Sequence, residues 1–437
     1  MRLLVALVAA LASATSAAAA SWPEFGYDPA RQNVGPSSTG ITAANVAKLH
    51  RRTIALDGTV DSSPIYVDGT IYVTTTYGRT EAIDAHTGRV RWRYTPRTYD
   101  SYAGSYRITN MTPIVDPDGT AIYAGAPDGR IRKLAIKTGK LLWSTSITRD
   151  PTHEKLTASL NFSQGLVIAT TGGYVGDAPP YQGHVVTLKP KNGRIVHVWN
   201  SLCADRRTII EPATCGSSDS AIWARSGAVV DPTTGNLLVA TGNGPYDGRA
   251  DFGDSVIVLS PDAARVIGHW TPPDEAYLNT ADIDLGSTAP ALLASGFFVQ
   301  GGKDGKLRLI SRALKTVQIV PTPGADMLFT APVVWRGTWV FVASGAGIDA
   351  WTLRGARLRK AWSNGDGGTS PVLAGGLLYV QHYGAIRVYE PTSGRLVAAL
   401  PCGPAHWQSP IVVDGRIIAA EGNANDHATS GVLDIYS

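Results

Sequence analysis

Three stretches of the chain hold residues whose types and spacing could do chemistry. In "NSLCADRRTIIEPATCG" (200–216), Cys203 and Cys215 stand twelve apart in a polar, loop-like segment. In an exported protein such a pair reads as a disulfide that staples a loop, leaving Cys402 as a buried free thiol. The second stretch joins "HWQSP" (406–410) to "EGNANDHATSG" (421–431), gathering His406, Glu421, Asn423, Asp426 and His427. Imidazoles and carboxylates together can bind a metal or a substrate, but a polar hairpin loop closed by Asx turns explains the same residues and is preferred. The third is "GGKDGK" (301–306), which looks like a phosphate cradle. Its spacing is short, Leu307 stands where Ser or Thr is needed, and no helix pattern follows, so that reading fails. No Gly-x-Ser-x-Gly, no histidine pair at metal spacing and no CxxCH occurs, so no covalently attached c-type haem is expected.

The beginning of the chain bears on where such chemistry would take place. Arg2, the apolar run LLVALVAALA (3–12) and Ala18-Ala19-Ala20 read as a secretory signal over 1–20, so a periplasmic or extracellular protein is expected. The apolar run is too short to span a bilayer, and no later stretch is long enough. The chain has 39 basic and 35 acidic residues, scattered without a basic stripe, which argues against nucleic acid as a partner. The sequons "NMT" (110–112) and "NFS" (161–163) matter only in a host that glycosylates.

The elements that must position any site repeat along the chain. A small polar residue, a Pro, an apolar run, a Gly turn and a second apolar run recur with Pro64, Pro113, Pro290, Pro332, Pro371 and Pro410. The long gap between Pro113 and Pro290 has room for two more units, at 158–173 and 225–243, where the Pro is lost. A further strand carries a Trp four residues after a Thr-Gly turn, as in "AIDAHTGRVRW" (82–92) and "LAIKTGKLLW" (134–143). Trp92 and Trp143 hold this place, Trp199, Trp270 and Trp362 stand on the corresponding strands, and all five are expected to pack on the next unit. Four short strands at a period of forty to fifty residues mean a propeller blade. The expected fold is therefore all-β, an eight-bladed β-propeller of four-stranded blades. An N-terminal strand from "KLHRRTIALD" (48–57) completes the last blade and closes the ring. The expected division is a signal at 1–20, a lead-in at 21–47 and one propeller domain at 48–437, as a monomer.

The repeat text resembles the PQQ (pyrroloquinoline quinone) repeat. Eight copies are similar to the eight-bladed quinoprotein propellers, which include PQQ-dependent alcohol and sugar dehydrogenases and noncatalytic scaffolds such as the outer-membrane assembly lipoprotein BamB. The lead-in "WPEFGYDPARQNVGPSSTGITAANVAKL" (22–49) resembles that of the dehydrogenases. The resemblance implies PQQ and Ca²⁺ as cofactors. It places Asn243 of "TGN" and Asp282 of "TADIDLG" on the ion, with Asp284 as second choice, and makes Asp282 the general base. It places Lys303 of "GGKDGKLRL" on the quinone oxygens and Trp223 or Arg225 beneath the cofactor, with Arg107 a further contact. Hard Ca²⁺ takes oxygen ligands and acts as a Lewis acid, and a carboxylate can remove the alcohol proton as hydride leaves.

The family pattern is incomplete in this chain. Its adjacent cysteines would fall within 97–111, where there is no Cys, and its ion-binding Glu falls at Tyr174 or Val175, with Asp177 a substitute after an insertion. Two functions stay open: a dehydrogenase acting on a small alcohol or sugar, and a scaffold taking a protein partner on the propeller rim.

Overall fold

Blade 1 shows how the repeat folds. Strands Ile65–Val67, Thr70–Thr74, Thr80–Asp84 and Val90–Tyr94 pair antiparallel in chain order. The first turn is Asp68-Gly69, with φ of 42° and 75°, and Gln164-Gly165, Arg336-Gly337 and Asp414-Gly415 repeat it. Two left-handed residues make the turn whose twist matches the flanking strands, and Gly takes that conformation without a Cβ clash. The computed structural model describes residues 21–437, so the signal read at 1–20 lies outside the described residues. It contains eight such sheets in a ring, the units without a Pro forming blades 3 and 4. Among the described residues no helix is long and apolar enough to cross a membrane.

In the five blades that carry it, the repeated Trp packs one blade on the next. The Trp92 indole N–H donates to the Ile136 carbonyl (2.8 Å), Trp143 to Pro190 (2.9 Å) and Trp362 to Pro391 (2.8 Å), all in the following blade. Each ring lies on the glycine of that blade's own turn. A Cβ on Gly139 would stand 2.5 Å from Trp92, and one on Gly193 2.5 Å from Trp143. The Thr-Gly-x₃-Trp text thus carries both halves of a joint, the glycine receiving one neighbour while the Trp reaches the other. Trp270 bonds Thr316 Oγ1 (3.1 Å), and Trp199 shares an apolar cluster with Ala263, which replaces the glycine. Gly139→Val is expected to destabilise by about 1–3 kcal/mol through overpacking and strain at φ 68°. Gly69→Val, with nothing within 4 Å of its Cβ, is the control and should cost less in the same urea titration.

The ring closes as expected, by Arg51–Leu56 pairing along Gly431–Tyr436. The preceding residues do more than lead in. Ser21–Trp22 adds a fifth strand to blade 1. Pro23 O then accepts from Val115 N–H of blade 2, and Pro29 O from Asn161 Nδ2 of blade 3 and Val230 N–H of blade 4. Gln32, Asn33 and Thr39 carbonyls accept from Val334, Leu373 and Gly415 of blades 6, 7 and 8. Trp22, Phe25, Arg31 and Asn33 are at most 2% exposed. Arg31 is the hub, pairing with Glu24 (2.7 Å) and donating to the carbonyls of Phe25, Leu160 and Ser226. The segment is a plug, bonded to blades 1, 2, 3, 4, 6, 7 and 8.

Candidate functional site

The cavity on the propeller axis has a volume of about 400 Å³. Its wall follows from repeat register. The position three before the blade proline is Asp61, Asn110, Phe329 and Trp407 in blades 1, 2, 6 and 8, and the equivalent in blades 3 and 4 is Thr157 and Arg225. All but Asp61 line the cavity directly, while Asp61 lies beneath, bonded to Arg225 (2.7 Å), Asn110 (2.7 Å) and His406 (2.9 Å). Phe329 and Trp407 stack face to face with centroids 4.5 Å apart at 7°, and Trp223 lies 5.8 Å from Trp407. Sequence reasoning named neither Phe329 nor Trp407. Their repeat position was the available signal.

Asn243, Asp282, Asp284 and Lys303 converge on one side of the cavity. Lys303 Nζ lies 2.7 Å from Asp284 Oδ2 and 3.1 Å from Asp282 Oδ1, and 5.8 Å from the Trp223 ring centre. Burial works against the Lys303 charge, but the two carboxylates outweigh it and raise its pKa above that of an ordinary lysine. Asn243 gives its amide N–H₂ to Asp282 (2.8 Å) and its backbone N–H to Asp284 (2.9 Å), while its buried Oδ1 has no partner. Trp223 rather than Arg225 presents its ring here, because Arg225 folds back onto Asp61. Asp177 also lines the cavity, bonded to Tyr181 (2.9 Å). Burial pushes its pKa up, and the nearby Asp284 and Asp282 add to the rise.

Other expected positions stand elsewhere. Arg107 does not reach the cavity. It packs 5.0 Å from the Tyr102 ring centre and donates to Tyr174 Oη (3.3 Å) and the Pro151 carbonyl, because the buried Tyr174 occupies the wall in front of it. Val175 is exposed. Asn423 closes an Asx turn on Asn425 N–H (2.9 Å), and Glu421 pairs with Arg51 (2.8 Å), so these members of the last-blade cluster are structural. Cys203 and Cys215 are bridged, and Cys402 is a buried free thiol.

The donor set decides which groups could sit here. Three aromatic faces and cationic side chains suit a flat, charged aromatic cofactor. A Ca²⁺ ion asks for six to eight oxygens, and the arrangement does not offer them. Lys303 pairs with both aspartates, Asn243 Oδ1 is buried without a partner, and among the described residues no three His, Cys, Asp or Glu side chains are grouped to hold a metal. One residue behind, Asp254 accepts from Leu285 N–H (2.9 Å) with its other oxygen unpartnered. Burial pushes its carboxyl up to about 8 against that bond, with Asp284 adding to the rise. Between about pH 4 and 8 the folded state then keeps a proton that the unfolded state has lost, so stability falls as pH rises through that window. Asp254→Asn should flatten this slope and gain up to a few kcal/mol at pH 8, measured by urea midpoints at pH 5 and 8.

Comparison with known proteins fits this geometry. Residues 50–211 match the family model described as outer membrane protein assembly factor BamB, a PQQ-repeat model. That match covers less than half of the chain. The chain is 27% identical over 288 residues to the quinohemoprotein alcohol dehydrogenase ADH IIB of Pseudomonas putida, covering 60% of this chain and 41% of that one. It spans about two fifths of the length of the curated relatives it matches first. Among solved structures it is similar to the quinohemoprotein alcohol dehydrogenase of Comamonas testosteroni (TM-score 0.74, 18% identity, 95% of this chain and 80% of that one). It is also similar to BamB of Moraxella catarrhalis (TM-score 0.59, 14% identity, 89% and 99%). At these identities the structural likeness speaks for the fold.

Proposed function

We propose that this chain is an exported, quinoprotein dehydrogenase-like propeller that binds PQQ in the axial cavity and oxidises a small alcohol or sugar. The observation that carries the reading is the convergence of Asn243, Asp282, Asp284 and Lys303 beside Trp223 in an open cavity of ligand size. The proposed division keeps 1–20 as a removed leader, 21–47 as the lead-in and 48–437 as one propeller domain. The leader and the Cys203–Cys215 bridge support export.

PQQ, when bound, supplies a two-electron acceptor for hydride from the alcohol carbon. Asp282, the most exposed of the acidic side chains around Lys303, takes the alcohol proton. Lys303 donates toward negative charge developing at the ligand's oxygen, and Asp284 with Asn243 N–H holds it in position. Trp223, Phe329 and Trp407 supply the faces that exclude water. No step is assigned to Ca²⁺, whose electrostatic place Lys303 holds.

The test is calorimetry of the purified protein with PQQ, with and without Ca²⁺, joined to a dye-linked alcohol and sugar panel. Expected is binding that weakens at least about tenfold in Lys303→Ala, with turnover lost in Asp282→Ala. A second reading, a BamB-type scaffold, is favoured by exposed apolar side chains near the mouth, Val175 and Met327 among them. Absence of PQQ binding at high micromolar concentration would select it.

A further inference from the structure

Of the lysines and arginines on the cavity wall, Lys155 alone has no carboxylate in contact among the described residues. It sits on the two-residue strand Glu154–Lys155, paired with Gly172–Gly173, and is 5% exposed while lining the cavity. Its neighbour Glu154 turns the other way, to His184 Nε2 (2.7 Å). Among the described residues, Lys155 makes no salt bridge and no side-chain hydrogen bond. Buried lysines are almost always paired, because stripping water from an ammonium is expensive.

The nearest charges do not pair it. Arg225 is a like charge, and Asp61 is fully engaged: Oδ1 by Arg225 (2.7 Å), Oδ2 by Asn110 (2.7 Å), His406 (2.9 Å) and Ala424 N–H (3.1 Å). One carboxylate therefore serves two cations, and this end of the cavity keeps a single positive charge. The other end holds Asp177, Asp282 and Asp284 around one Lys303. The aromatic faces of Trp223, Phe329 and Trp407 lie in the same cavity.

We propose that the cavity takes a planar aromatic ligand bearing a carboxylate, and that Lys155 binds that carboxylate. One uncompensated charge matches one carboxylate better than a dianionic phosphate, and the aromatic walls select a flat body. Burial, with Arg225 beside it, pushes Lys155 down to about 7, and an anion bound at its ammonium removes that penalty. The proposal rests on the reading of this cavity as a ligand site, and it adds the residue that holds the ligand's carboxylate.

The test measures tryptophan fluorescence quenching by quinoline-2-carboxylate, by its neutral methyl ester and by PQQ, on the full chain and on Lys155→Met and Lys155→Arg. Wild type should bind the acid at least about tenfold more tightly than the ester. Lys155→Met should bind the two equally while melting no lower than wild type, and Lys155→Arg should keep the preference. Equal binding in wild type, a preference surviving in Lys155→Met, or no binding of either quinoline at millimolar concentration overturns the proposal. If the quinoline preference holds but PQQ does not bind, the cofactor reading falls and this one stands. If PQQ binds wild type and Lys155→Met alike, this one falls and the cofactor reading stands.

Discussion

Arg31→Met is expected to lower the unfolding free energy by about 3–5 kcal/mol, seen as a lower urea midpoint with an unchanged slope. The loss does not come mainly from the ion pair. Burial pushes Glu24 up to about 7 against the pull of Arg31, so an abandoned Glu24 can take a proton. What cannot be repaired is the set of carbonyls that lose their donor, Leu160 in blade 3 and Ser226 in blade 4 as well as Phe25 in the plug. Each is sealed from water, and an unsatisfied buried acceptor costs about 1–3 kcal/mol. Arg31→Lys keeps the charge without the fork and should fall between. A loss below about 1 kcal/mol in Arg31→Met would mean that the plug does not hold the blades.

Asp61→Ala should cost a similar amount, about 3–5 kcal/mol, for a different reason. Burial alone would raise the Asp61 carboxyl, but Arg225 and His406, with the Ala424 N–H, outweigh it and hold it at about 2. It is a carboxylate wherever the protein is folded near neutral pH. Without it Arg225 and Lys155 are two buried cations with no anion between them. Asp61→Ala combined with Arg225→Met should recover most of the loss, since removing both partners removes the uncompensated charge. The sign with pH follows from a depressed folded pKa: the contribution is complete above about pH 4 and fades as pH falls toward 2. Urea titrations of the four species at pH 7 and pH 3 check both points. A double variant no better than Asp61→Ala would show that packing, and not charge, dominates there.

The fold was legible because its text repeats. Six blade prolines, the Thr-Gly-x₃-Trp joint and the spare N-terminal strand were enough to count eight blades and close the ring. The acidic end of the site was readable only through resemblance, since Asn243, Asp282 and Lys303 lie on loops where no periodicity constrains them. Arg107 misled because an arginine in the right interval says nothing of the tyrosine that stands in front of it. Lys155 escaped for the opposite reason. "HEKLTAS" reads as a polar surface turn, and its burial depends on pairing with Gly172, across the hairpin of blade 3. Trp407 and Phe329 could have been found by carrying the register of Arg225 from blade to blade.

The ladder between Arg51–Leu56 and Gly431–Tyr436 also sets an order of events. Seven blades can each zip from strands that follow one another along the chain, at small entropic cost. The eighth must bring Arg51 against Tyr436, and that search is the slowest contact the molecule makes. Until it succeeds the protein is an open arc with two bare strand edges, the form most exposed to sticking to other chains. Once made, the same ladder works as a latch: the arc cannot reopen without breaking it, and the lifetime of the native ring is governed by how seldom those six residue pairs part together.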